Sequence, residues 1–104
     1  MSLANLIFNK TKNYGNLIAI NCEGQSITYS DLNTRSLKLA SLINNYGFSN
    51  ETVAIIGKKK TSSYVAILGT LYAGCNYTPL NDSYNITKTK KILEITNAKI
   101  IIGE

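Results

Sequence analysis

Two short apolar runs, Thr52-Val-Ala-Ile-Ile-Gly57 and Lys99-Ile-Ile-Ile102, constrain the fold more than any other feature of the chain. Neither run alternates with polar residues, so neither suits a sheet with one face in water. Such runs read as strands covered on both sides. The covering layers have to be helices, and the sequence between the runs supplies them. After Gly57 and a lysine triplet, Thr61 or Ser62 can start a helix with Tyr64, Ile67, Leu68, Leu71 and Tyr72 on one stripe. Its other face is small (Ala66, Gly69, Thr70, Ala73), so it can pack closely on both sides, and Gly74 ends it. Cys75-Asn-Tyr-Thr-Pro79 is extended, and Pro79 allows no onward ladder bond. Thr87 begins a last helix running to Asn97.

Upstream, residues 3–12 carry Leu3, Leu6, Ile7 and Lys10 in a helical pattern that Ser2 is placed to cap. Tyr14-Gly15-Asn16 breaks it. The stretch 16–22 reads as a strand, Glu23-Gly24 as a turn and residues 25–29 as a returning strand, together a hairpin. Ser30 is a good N-cap, and Asp31 favours the positive end of the helix dipole. From there Leu32, Ser36, Leu39, Ala40 and Ile43 share one helix face, which Leu37, Leu42 and Tyr46 widen. Gly47 is a left-handed stop, with Phe48 able to fold back on the last turn. The order is helix, hairpin, helix, strand, helix, short strand, helix, strand. That alternation predicts a single α/β unit over residues 1–104, with mostly parallel strands, right-handed crossovers and flanking helices. The polar stretch from Asn81 to Asn85 is the most loop-like.

The residue inventory removes most catalytic chemistry. There is no histidine, which excludes Ser-His-Asp and Cys-His arrangements and the commonest general base near neutral pH. Six acidic residues (Glu23, Asp31, Glu51, Asp82, Glu94 and Glu104) show no spacing that pairs them for acid–base work. Cys22 and Cys75 lack a CxxC partner and do not make a four-ligand metal site. They read as reduced, partly buried thiols, although sequence leaves a disulfide between them open, since geometry decides it. Gly57-Lys-Lys-Lys-Thr-Ser-Ser63 sits between a strand and a helix, where backbone amides attract anions. It is not a P-loop: Thr52 stands where the first glycine belongs, and lysine rather than Ser or Thr follows the Gly-Lys pair. The net charge of +5 gathers at Lys58–Lys60 and at Lys88, Lys90 and Lys91. With one arginine, Arg35, and no nucleic-acid motif, a solvated basic surface is the reading; a phosphate or nucleic-acid footprint is the minor one. No apolar run approaches the roughly 18–20 residues of a membrane span, and no basic-then-apolar leader opens the chain.

Two segments carry a resemblance. Ile27-Thr-Tyr-Ser-Asp-Leu32 resembles the Leu-(Thr/Ser)-Tyr-x-Glu-Leu motif near the start of adenylate-forming (AMP-binding) enzymes, and looks most like the amino-acid adenylation domains of nonribosomal peptide synthetases. Leu71-Tyr-Ala-Gly-Cys-Asn-Tyr-Thr-Pro-Leu-Asn81 resembles that family's Leu-Lys-Ala-Gly-x-Ala-Tyr-Val-Pro-Leu-Asp. Either motif alone is weak; both, in order and at the family's separation, are specific. The resemblance runs from Asn5 to Ile102. Asp31, Tyr72, Asn76 and Asn81 depart from the usual Glu, Lys, Ala and Asp, none at a position that performs the family's chemistry.

The resemblance implies a partial N-terminal subdomain of an adenylate-forming enzyme. Such enzymes use ATP and Mg²⁺ to activate a carboxylic or amino acid as an acyl-adenylate, then pass the acyl group to a carrier protein's phosphopantetheine thiol or to coenzyme A. Their phosphate loop, adenine-side aromatic motif, ribose-binding Asp and catalytic Lys all lie beyond the region matched. No catalytic, cofactor-binding or metal-ligating residue is therefore assigned, and the chain alone is expected to be inactive. The expected partners are the remainder of the adenylation domain and a carrier protein, in the cytoplasm, with no membrane association. Ending directly after a strand, at Gly103-Glu104, suggests an expressed fragment or a truncated gene product. A free-standing, self-associating interaction module derived from the same fold is the alternative.

Overall fold

The computed structural model describes residues 3–22, 24–48, 50–56, 60–81 and 83–103. The elements are α1 (Leu3–Tyr14), β1 (Ile18–Cys22), β2 (Gln25–Thr28), α2 (Tyr29–Asn45), β3 (Thr52–Ile56), α3 (Thr61–Tyr72), β4 (Asn76–Leu80), α4 (Ile86–Thr96) and β5 (Ile100–Ile102). The order matches the alternation read from sequence. β1 and β2 form the antiparallel hairpin, with an irregularity between Ile18 and Ile20. β3, β4 and β5 form a parallel sheet in the order β4-β3-β5. The chain thus steps from β3 to β4 in one direction and from β4 over β3 to β5 in the other. With right-handed crossovers, that reversal puts α3 and α4 on opposite faces.

β3 is the centre of the fold. Val53 and Ala54 are fully buried and Ile55 nearly so, as an unalternating apolar run requires. Val53 and Ile55 pack with Ala40 and Ile43 of α2, Ala66 of α3, and Ala73 and Cys75 beyond it. A second cluster, Ile27, Leu32, Val65 and Leu68, joins the hairpin to α2 and α3, with Ile7 of α1 against it. Tyr72 packs against both clusters, and its hydroxyl donates a 2.6 Å hydrogen bond to Asn33 Oδ1.

α2 buries Leu32, Ser36, Ala40 and Ile43, spaced as one helical face, while Leu39 is half-buried. Leu37, Leu42 and Tyr46 do not widen that face; they are exposed, Leu42 and Tyr46 beside the open groove along β5. α2 and α3 come close at Gly69: a Cβ there would lie 2.8 Å from Leu39 Cδ2 and 3.0 Å from Leu39 Cβ. α3 buries Thr61, Val65, Ala66, Leu68, Gly69 and Thr70, so both of its faces pack, as read from sequence. Its stripe meets the hairpin cluster through Leu68 and Tyr72, and of the stripe only Tyr64 is exposed.

The helix start in α2 also differs from the reading of Ser30 as its cap. Thr28, with extended ψ of 164°, is the N-cap, and its Oγ1 accepts from Asp31 N at 3.1 Å. Ser30 is committed elsewhere: its N–H donates to Gly15 O at 3.0 Å, and a Cβ on Gly15 would collide with Ser30 Oγ. Gly15 is therefore a close-approach site that fastens the end of α1 to the start of α2. At the far end, Gly47 is left-handed (φ 83°) and Phe48 N–H returns to Ile43 O at 3.4 Å, as expected. α4 starts one residue before the expected Thr87, capped by Asn85 Oδ1 from Lys88 N at 2.8 Å. Asn97 closes it in the left-handed region (φ 54°). The Ser2 cap and Glu23 lie outside the described residues, as do Lys58, Lys59 and Asp82; Gly24 is left-handed, as its turn requires.

Candidate functional site

In open parallel α/β sheets, ligands gather at the carboxyl ends of the strands. Here those ends are Ile56, Leu80 and Ile102. Residues 57–59 of the basic turn lie outside the described residues; Lys60, which follows, is the N-cap of α3 and makes no side-chain cap bond. Ser62 and Ser63, in the first turn of α3, line a depression with Ile55, Ile56, Ile102 and Gly103. Its volume is about 80 Å³, far short of the roughly 300–1,000 Å³ of a small-molecule site. Thr61 Oγ1 reaches Gln25 Oε1 at 3.5 Å, so the helix start is tied to the hairpin.

The other residues singled out by sequence are dispersed. Lys88 lies over the Tyr84 ring at 4.0 Å. Lys90 and Lys91 flank an open depression of α4 with Ile86, Thr87 and Glu94. Asp31 and Arg35 form one exposed pair at 4.0 Å, which contributes little in water. Cys75 is buried and Cys22 half-buried, and neither is in a disulfide. Among the described residues no three of His, Cys, Asp or Glu come together to hold a metal ion. Nor does any buried side-chain polar atom there lack a partner.

The two resembling motifs instead hold the fold's joints. Ile27 and Leu32 are core residues on either side of the Thr28 cap. In the second, Ala73, Cys75 and Leu80 are buried and Gly74 is left-handed (φ 79°). The departures have local explanations. Tyr72, where the family has Lys, bridges both clusters and binds Asn33; burial raises its pKa above the usual 10.0. Asn81, where the family has Asp, accepts from Ser83 N and Ser83 Oγ, each at 2.9 Å. Sequence reasoning missed the Thr28 cap and the Tyr72–Asn33 bond. Thr28 followed three residues on by Asp31 was a visible capping signal; the Tyr72 bond joins residues too far apart in sequence to show one.

Residues 7–104 match the AMP-binding enzyme family. Gramicidin S synthase 1 of Brevibacillus brevis is 31% identical over 90 residues, covering 86% of this chain. Nonribosomal peptide synthetase 2 of Cochliobolus heterostrophus is 36% identical over 80 residues, covering 76%. The chain spans only 8% and 2% of those two proteins. The Klebsiella oxytoca NpsA N-terminal subdomain superposes with a TM-score of 0.89 at 18% identity, covering 98% of this chain and 27% of that one. At that identity the likeness shows the fold, and the fold is the one expected. This chain belongs to the AMP-binding enzyme family, as part of the N-terminal region of an adenylation domain of the nonribosomal peptide synthetase type.

Proposed function

We propose that this chain is the scaffold portion of a domain that activates a carboxylic or amino acid as its acyl-adenylate and passes it to a carrier-protein thiol. The observation that carries the reading is the family match across residues 7–104, joined to relatives that are peptide synthetases. The chain's own contribution is positional. Its parallel strands aim their carboxyl ends at one edge, and the α2–α3 layer holds β3 from beneath. The nucleotide, the metal ion and the general acid–base groups are met by residues elsewhere in the domain, which supply the phosphoryl and acyl chemistry when those groups are bound. The structural neighbours include NpsA–ThdA of Klebsiella oxytoca, an artificially fused adenylation–carrier di-domain, which is consistent with a carrier protein as the acceptor.

The test is amino-acid-dependent ATP–pyrophosphate exchange by the purified chain. The expected rate equals the enzyme-free background. Exchange well above background that survives repurification would overturn the scaffold reading.

A further inference from the structure

α4 presents two unlike faces. At about 100° per residue, Thr89, Ile92, Leu93 and Thr96 fall on one side, and they are the half-buried positions of the helix. Ile86, Lys90 and Glu94 form one row of the other side, with Thr87, Lys91 and Ile95 in the row beside it; all six are exposed. Ile86 is 75% and Ile95 74% exposed, and they stand about 13.5 Å apart along the helix axis, at opposite ends of this outer face. Lys90 and Lys91 lie between them, and among the described residues neither is in an ion pair. Lys88 is already engaged by the Tyr84 ring at 4.0 Å, and Glu94 is the one acid of the helix. The surface is concave: Ile86, Thr87, Lys90, Lys91 and Glu94 line an open depression of about 410 Å³.

Solvation alone does not account for this pattern. An exposed isoleucine has a lower helix propensity than lysine, glutamate or alanine, and here it gains no packing in return. One such residue is ordinary on a surface. Two of them bracketing unpaired lysines make apolar anchors with charges between, and charges so placed select a partner by sign. A basic or neutral partner would bury Lys90 and Lys91 without counter-charges, at a cost in affinity. A nucleic acid would satisfy the lysines and leave the two isoleucines without apolar contacts. A helix with two apolar residues nine positions apart and acids between them meets both requirements. Glu94 sets its register, since an acid opposite Glu94 is repelled. No helix of this chain has that pattern: α2 and α4 carry one acid each, Asp31 and Glu94, and α1 and α3 carry none. A second copy of the chain is therefore not the occupant.

We propose that the outer face of α4 is a docking surface for an acidic amphipathic helix of a partner protein, anchored by Ile86 and Ile95 and selected by Lys90 and Lys91. This goes beyond the scaffold reading and does not depend on it.

The test titrates the full chain into a fluorescein-labelled helical peptide that has leucines nine residues apart and glutamates between them, read by fluorescence anisotropy. Saturable binding that weakens with added salt is expected. Lys90→Glu combined with Lys91→Glu should weaken it about tenfold or more, and so should Ile86→Ser combined with Ile95→Ser. Lys10→Glu combined with Lys12→Glu makes the same charge change at exposed positions of α1 and should leave binding unchanged. A second peptide with lysines in place of the glutamates should fail to bind the wild type and should bind the chain carrying Lys90→Glu and Lys91→Glu, a recovery that an unfolded variant could not give. No saturable binding, equal losses from the α1 and α4 lysine pairs, or no recovery with the second peptide would each overturn the proposal. Binding indifferent to Ile86→Ser and Ile95→Ser would reduce the face to a charged surface and overturn it as well.

Discussion

Tyr72→Phe keeps the ring that packs against both core clusters and removes only the hydroxyl that donates to Asn33 Oδ1 at 2.6 Å. Asn33 is half-buried, so its oxygen can turn to water once the donor is gone. The loss is then the net value of one hydrogen bond, about 0.5–1.5 kcal/mol, without the larger penalty of a stranded buried acceptor. For a chain of this size that is a fall in Tm of roughly 4–8 °C per kcal/mol. Urea and thermal unfolding of the wild type, Tyr72→Phe, Asn33→Ala and the double variant isolate the pair as a coupling energy. Tyr72 also gives the measurement a pH signature. Burial raises its folded-state pKa above the usual 10.0, because the buried site disfavours the phenolate. A raised folded pKa contributes stability that is complete below the unfolded value and is lost as pH climbs through the folded one. The advantage of Tyr over Phe should therefore be flat through neutral pH and shrink above about pH 10. A coupling indistinguishable from zero, or an advantage that grows in alkali, would refute the bridging role assigned to Tyr72.

Gly69→Ala should destabilise, although alanine is the better helix former by about 1 kcal/mol. The added Cβ meets Leu39 near its backbone end, where the side chain cannot swing away, and overpacking of this kind costs about 1–3 kcal/mol. A rise in the urea midpoint would show that α2 and α3 are not packed at that distance. Thr28→Ala should cost about 1 kcal/mol through loss of the α2 cap. Ser30→Ala should cost measurably less, and the reverse ranking in chemical denaturation would return the cap to Ser30.

The fold was legible where the residues speak for their own environment. Thr52–Gly57 could only be a covered strand, and Gly47 and Gly74 mark helix ends because their left-handed backbone favours glycine. Legibility failed where burial depends on what a distant element brings. Within the stripe of α3, Leu68 is buried, Ile67, Leu71 and Tyr72 are half-buried and Tyr64 is exposed, a ranking set by which neighbour each residue meets and not by its own hydrophobicity. Ser30 is as good a cap as Thr28 in isolation; the helix starts at Tyr29, which places Ser30 inside the first turn and Thr28 at the cap. The site was legible chiefly through the two motifs. Their residues serve packing and turns, so periodicity and spacing alone could not have connected them to adenylate chemistry.

The placement of β5 beside β3 also sets an order of assembly. β4 reaches β3 after crossing α3 alone, whereas β5 must wait for α3, β4 and α4. Non-local pairing of this kind is entropically the later event. α4, the crossover that delivers β5, buries none of its own residues. The α4–β5 arm is consequently the last part of the chain to settle and the first to open, and its amides should exchange with solvent ahead of those in β3.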